Sequence, residues 1–236
     1  MKKRIYLLLL SVVLIFSSCK DNDKFTEQLF TNDQITYALR MCIDTCADCA
    51  LNTLCIIDSG YSYYESGAYR LELPVAAKSV VDTLTLYEYG DAIDTLIYKI
   101  NRAAEHCGDK MKSKFWAPLV KEITFPAPNA LLHGNNTAIT DYVKNTKQTE
   151  FINLLVATIL AEQFKELKVI EAWNELQKNY YNITGDYISI DILTPAAQQM
   201  VAGFFKKMAT METAVRKDPN LRGKSDGLFN RVFETL

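Results

Sequence analysis

An all-α fold, a single helical domain of about seven to nine helices, is what this sequence predicts. Two observations carry the prediction. Apolar residues recur three and four apart over most of the chain, the period of a helix that buries one face. Residues that cap and stop helices punctuate those runs at sensible lengths.

The first element precedes the fold. Lys2-Lys3-Arg4 is followed by an apolar run from Ile5 to Phe16, broken by Ser11, and then by Ser17-Ser18-Cys19. A basic start, a short apolar stretch and small residues at the end describe a secretory signal. The run is too short to span a ~30 Å hydrocarbon layer as a lasting helix. Small residues before a cysteine resemble a bacterial lipoprotein box, although Phe16 stands where that box usually carries Leu. The resemblance implies cleavage before Cys19 and lipidation of that residue. The expected organisation is a signal peptide at 1–18, a lipidated Cys19 with a flexible tether to residue 30, and a helical domain at 31–236. The expected location is a bacterial envelope, anchored by lipid on Cys19, with the outer membrane favoured.

Composition narrows the function classes. Removing residues 1–18 takes away three of the 26 basic residues and none of the 28 acidic ones, so the mature chain carries a net charge of about −5. No basic patch stands out, which argues against nucleic acid as a partner. Only His106 and His133 are available as imidazole ligands, and no metal or cofactor is predicted. Five cysteines remain besides Cys19, an odd number that cannot all pair within one chain.

Thr31-Asn32-Asp33-Gln34 fits a capping box, so the first helix should run to about Leu54. Its stripe uses Ile35, Ala38, Leu39, Cys42, Cys46 and Cys49. Residues 58–74 break the period, with Ser59-Gly60 and Ser66-Gly67 as turns and Tyr61, Tyr63, Tyr64 and Tyr69 as an aromatic loop. That loop is either a binding lip or a cover for the helices. Tyr69–Leu73 alternates and reads as extended up to Pro74. A moderate helix follows to Tyr89, stopped by Gly90. Asp91 opens the clearest helix, with Ile93, Leu96, Ile97, Ile100, Ala103, Ala104 and Cys107 on one stripe and Gly108 at its end. Asn101 and Glu105 lie at the stripe's edge near Asp94, and Arg102 is placed on the opposite face. A short helix to Ile123 contains Pro118, which either kinks it or starts its second half. A helical turn is expected near Ala130–His133. Helix returns at Thr137, and Phe151–Tyr180 is one long helix or two. Thr194-Pro195 reads as an N-cap followed by proline, with Asp218-Pro219 as the stop. Ser225 is the expected cap of a last short helix.

Cys42-x-x-x-Cys46-x-x-Cys49 matches the spacing with which radical S-adenosylmethionine enzymes hold an iron–sulfur cluster. Here the thiols continue a helical stripe with Ile35 and Leu39, and no Gly or Pro opens a loop between them. Packing is the favoured reading, since free Cys behaves as a small apolar side chain. Any disulfide pairing among Cys42, Cys46, Cys49, Cys55 and Cys107 would leave at least one thiol free.

Three blocks occur together: Asn101-Arg102-Ala103-Ala104-Glu105; Ile123-Thr124 with Ala130-Leu131-Leu132-His133-Gly134 and Ala138-Ile139-Thr140-Asp141-Tyr142; and Glu212-x-x-Val215-Arg216-x-Asp218-Pro219 with Leu228 and Val232-Phe233. In this order they resemble the bacterial domain-of-unknown-function family numbered 4197. The likeness runs from about Thr31 to Phe233. It implies an all-helical exported protein, often a lipoprotein, with no established activity. Phe125-Pro126-Ala127-Pro128 stands where that pattern usually carries acidic residues.

The candidate polar site is Asn101, Glu105, Thr140, Tyr142 and Arg216. Asn101 and Glu105 would face one side a turn apart, and a carboxyl at a stripe's edge is a candidate for acid–base work. A charged pair that only fixes helix packing is the competing reading. No catalytic residue is predicted, because neither histidine lies in a readable nucleophile–base arrangement. The expected function is a non-catalytic binding or interaction module, tethered through Cys19, with an envelope protein or an apolar ligand as partner. The alternative is an envelope enzyme or lipid carrier using a helix-lined site around Glu105.

Overall fold

The structure, a computed structural model, describes residues 30–222 and 227–236. The leader at 1–18, the Cys19 lipidation site and the Ser225 cap lie outside the described residues. Among the described residues every regular element is helical, so the predicted all-α class holds. No helix among them is long and apolar enough to cross a membrane.

Residues Thr31–Leu236 form one compact unit. Its axis is a pair of long helices, α1 (Asn32–Leu54) and α11 (Leu193–Lys217), packed along one another. The capping box is present: the Thr31 hydroxyl accepts from the Gln34 amide at 3.2 Å, and the Gln34 side chain accepts from the Thr31 amide at 2.9 Å. The stripe then buries Ile35, Ala38, Leu39, Cys42 and Cys46, whereas Cys49 is only half-buried. The two helices are antiparallel. Tyr61, just past the end of α1, donates its hydroxyl to the Met200 carbonyl in the first third of α11 at 3.0 Å.

A loop at 55–63 leads from α1 into the turn α2 (Tyr64–Gly67), where Glu65 and Ser66 have positive φ. Gly60 is required here by close approach: a Cβ on it would lie 2.0 Å from the Leu54 carbonyl oxygen. Tyr61 and Tyr69 are buried under the helices, and Tyr63 is exposed. Next come α3 (Lys78–Leu86) and α4 (Gly90–Glu105). Gly90 therefore opens α4 rather than only stopping α3.

The run Gly108–Glu122 is continuous, made of α5 (Gly108–Met111), a π turn (Lys112–Trp116) and α6 (Ala117–Glu122). Pro118 lacks the amide that would bond Lys114. The strain is absorbed one turn earlier, where Ala117 donates to Lys112, five residues back. After α7 (Pro128–Leu132), another continuous run joins α8 (Ala138–Leu154), a π turn (Leu155–Ile159) and α9 (Leu160–Glu166). Lys168, with φ 52°, breaks the chain before α10 (Val169–Thr184). Phe151–Tyr180 is thus two helices, and α10 ends at Gly185 rather than at Tyr180. The cap of α11 also departs from expectation. Asp191, not Thr194, holds its first amides, accepting from Leu193 at 2.8 Å and Thr194 at 3.2 Å. Pro195 falls inside the first turn, where a missing donor costs nothing. The chain closes with α12 (Gly227–Phe233) against α1.

The core centres on aromatic rings from these runs. Phe204 of α11 meets Trp116 and Phe151 edge-on, each at 5.5 Å, and Phe115 stacks on Phe151 at 4.0 Å. Such contacts add about 0.5–1.5 kcal/mol per pair beyond the area they bury.

Candidate functional site

The residues grouped as one polar site fall into three places. Asn101 and Glu105 stay together on α4. Arg216 and Thr140 meet elsewhere, through Glu212. Tyr142 stands apart, donating its hydroxyl to the Thr124 carbonyl at 2.9 Å beside the Phe125 ring.

Glu105 is buried, yet its carboxylate is fully engaged. It accepts from the Asp58 amide at 3.0 Å and the Ser62 amide at 3.1 Å. Arg102 reaches it at 3.4 Å and also pairs with Asp58 at 2.7 Å. Arg102 is therefore a neighbour of Glu105, not on the opposite face. Residues three apart on a helix are separated by only about 60° around the axis, and the long side chain spans the rest. Glu105 thus pins the 58–62 loop to α4.

Asn101 does the same for the segment after that loop. Its carboxamide accepts from the Leu71 amide and donates to the Leu71 carbonyl, both at 2.8 Å. On the next residue Gln199 of α11 repeats the pattern, accepting from the Glu72 amide at 3.0 Å and donating to its carbonyl at 2.9 Å. Successive residues of an extended chain aim their backbone groups to opposite sides. Two side-chain amides, one from each flanking helix, therefore satisfy an extended segment that has no neighbouring strand.

The second cluster lies toward the other end of α11. Glu212 accepts from the Ile139 and Thr140 amides at 3.1 and 2.7 Å, capping α8 from far along the chain. Arg216, one turn on, bonds Glu212 at 2.9 Å and the carbonyls of Leu132 and Leu131 at 2.6 and 3.0 Å. One ion pair thus ties α7, α8 and α11 together. Thr140 contributes its amide; its hydroxyl is buried without a partner.

The five cysteines among the described residues, Cys42, Cys46, Cys49, Cys55 and Cys107, are free thiols. Cys42, Cys46 and Cys107 are buried, and Cys107 donates to the Ala103 carbonyl. Burial, followed by the charge of Glu105, pushes the Cys55 thiol up to about 12. It is a poor nucleophile at neutral pH, since the thiolate is the reactive form. A hydrogen bond with Cys42, and then burial, raises Cys46 as well.

Beside the pinned loop lies a cleft of about 440 Å³. Its walls are Ser62, Tyr63, Arg70, Asp94, Thr95, Tyr98 and Asn101, every one able to hydrogen-bond. The Ser62 hydroxyl is buried and unpartnered. Of these residues the sequence reading singled out Asn101, placed Asp94 nearby and flagged Tyr63 as a possible lip. It missed Ser62, Arg70, Thr95 and Tyr98, and the paired turn signals at Ser59-Gly60 and Ser66-Gly67 were the available hint. It also passed over Glu212, whose spacing of four from Arg216 was the readable sign.

Fold and site together define an all-helical protein with a pinned loop beside a polar cleft. No curated protein and no solved structure matches the chain. A family model described as a protein of unknown function, DUF4197, matches residues 29–234. The chain belongs to that family.

Proposed function

We propose that this is a lipid-anchored protein of the bacterial envelope, held by Cys19 at the outer membrane, whose helical body is a non-catalytic binding module. One observation carries the binding role. The cleft of about 440 Å³ beside the loop that Glu105 pins is lined entirely by residues able to hydrogen-bond, and the buried Ser62 hydroxyl in that lining has no partner. The non-catalytic reading is supported by Glu105 and Glu212, whose carboxylates are occupied by backbone amides and arginines. A polar partner suits this lining better than an apolar ligand does. The Ser17-Ser18-Cys19 sequence supports the anchor, with acyl chains on Cys19 giving stable attachment.

The test is fractionation of cells expressing the wild-type chain or Cys19→Ala, fed with an alkyne-tagged fatty acid. The wild-type protein should sediment with membranes and carry the label, and Cys19→Ala should lose the label. Equal labelling of the two, or none in either, would remove the anchor.

A further inference from the structure

The cleft is lined by two residues of opposite charge, Arg70 and Asp94. Arg70 comes from the clamped segment and Asp94 from α4. Arg70 pairs with Glu72 through Nε at 3.1 Å, and its terminal nitrogens make no hydrogen bond among the described residues. Asp94 has no hydrogen-bond or ion-pair partner among the described residues. The two do not pair with each other, although they line one cleft. The backbone around them is fixed: Asn101 holds Leu71, next to Arg70, and Glu105 holds the amide of Ser62. The same cleft is lined by Tyr63, Tyr98 and Thr95. Tyr98 is itself steadied by donating to Asp58 at 3.0 Å.

We propose that this cleft binds a small zwitterion, a free amino acid or short peptide, with its carboxylate on Arg70 and its ammonium on Asp94. The proposal rests on the binding-module reading and names its ligand class. The guanidinium offers a planar pair of donors matched to a carboxylate, and Asp94 offers acceptors to an ammonium. The tyrosine rings supply rigid contact area for the ligand's body. The Ser62 hydroxyl, now without a partner, gains one when it turns toward a ligand carbonyl, relieving the cost of a buried unmet donor. The volume sits at the low end of the range that takes small ligands.

The test is equilibrium dialysis of the full chain in detergent against a pool of dipeptides covering all natural residue types. The same pool N-acetylated and C-amidated, and a pool of free amino acids, serve as parallel arms, with retention read by mass spectrometry. Dipeptides with free ends should be retained and blocked ones not; retention in the amino-acid arm would identify the shorter ligand as the occupant. Arg70→Gln and Asp94→Asn should each weaken retention about tenfold without changing the melting temperature. Glu72→Gln, which frees Arg70 from its competitor, should strengthen retention, an effect that a merely structural role for Arg70 would not produce. Equal retention of free and blocked dipeptides, or retention in no arm, overturns the proposal. Because Cys19 labelling is measured separately, that result would leave the anchor standing.

Discussion

Glu105 and Glu212 use the same device in different settings. Each is a helix-borne carboxylate, buried, accepting from two backbone amides and paired with an arginine on its own helix. Glu212 holds the first turn of a regular helix, and its partner Arg216 is buried and pairs with no other acid among the described residues. Glu105 holds an irregular loop, and its partner Arg102 is partly exposed and divides itself between Glu105 and Asp58. The first arrangement locks helix to helix. The second holds a loop in place beside a cleft, with an alternative partner available if it lets go. Enclosure, not the identity of the side chains, separates a brace from a site support.

The largest expected effect is therefore at Glu212. Glu212→Ala leaves Arg216 buried without its counter-ion and uncaps α8. The cost should be about 3–5 kcal/mol, read as a lower urea midpoint at unchanged slope. Glu105→Gln should cost less, about 1–3 kcal/mol, because Arg102 keeps Asp58. The distinguishing readout is hydrogen exchange: faster around residues 58–67 for Glu105→Gln, and faster at the start of α8 for Glu212→Ala. If Glu105→Gln proved the more damaging, or loosened α8, the contrast between brace and support would collapse.

Asn101 sharpens the same contrast within the cleft end. Asn101→Leu keeps the volume but strands the Leu71 amide and carbonyl in the interior, so about 1–3 kcal/mol should be lost. Gln199→Leu removes the matching pair at the exposed Glu72, where water can replace it, and the loss should stay near ~0.5 kcal/mol. Chemical denaturation of the two variants side by side checks the order. A similar loss for both would mean that the segment is held by Leu71 packing rather than by amides.

What was legible in the sequence was local. The capping box at Thr31 and the stripe from Ile35 to Cys46 require only neighbours within two turns, and both are present. So does the stripe of α4. The break at Lys168 was hidden because no Gly or Pro marks it. The second π turn, where Leu160 donates to Leu155, likewise has no proline nearby to announce it. The candidate site failed for a different reason. Asn101 and Glu105 were rightly placed side by side, but their partners are backbone groups of residues 58, 62 and 71, which have no signature in side-chain identity. Joining Arg216 to Glu105 overlooked Glu212, a closer acid on the same helix. Placing Arg102 opposite treated a long side chain as if it ended at Cβ.

The two ends of α11 give the most local form of the comparison. Its last turns carry the buried Glu212–Arg216 pair, whereas its first amides are held by the exposed carboxylate of Asp191. Burial pushes that carboxyl up, but hydrogen bonds from Thr194 and Leu193 outweigh it and hold the group below its usual 3.8. An acid whose folded value is depressed contributes stability that is complete above the unfolded value and is lost as pH falls through the folded one. Asp191→Ala should thus cost about 1 kcal/mol near neutral pH, the usual worth of a cap, and the gap to wild type should shrink steadily below about pH 4. Thermal melts of the pair from pH 7 to pH 3 would show the two curves converging. A gap that stayed constant with pH would mean that Asp191 acts through its backbone conformation and not through its charge, leaving α11 without an ionic cap at the cleft end.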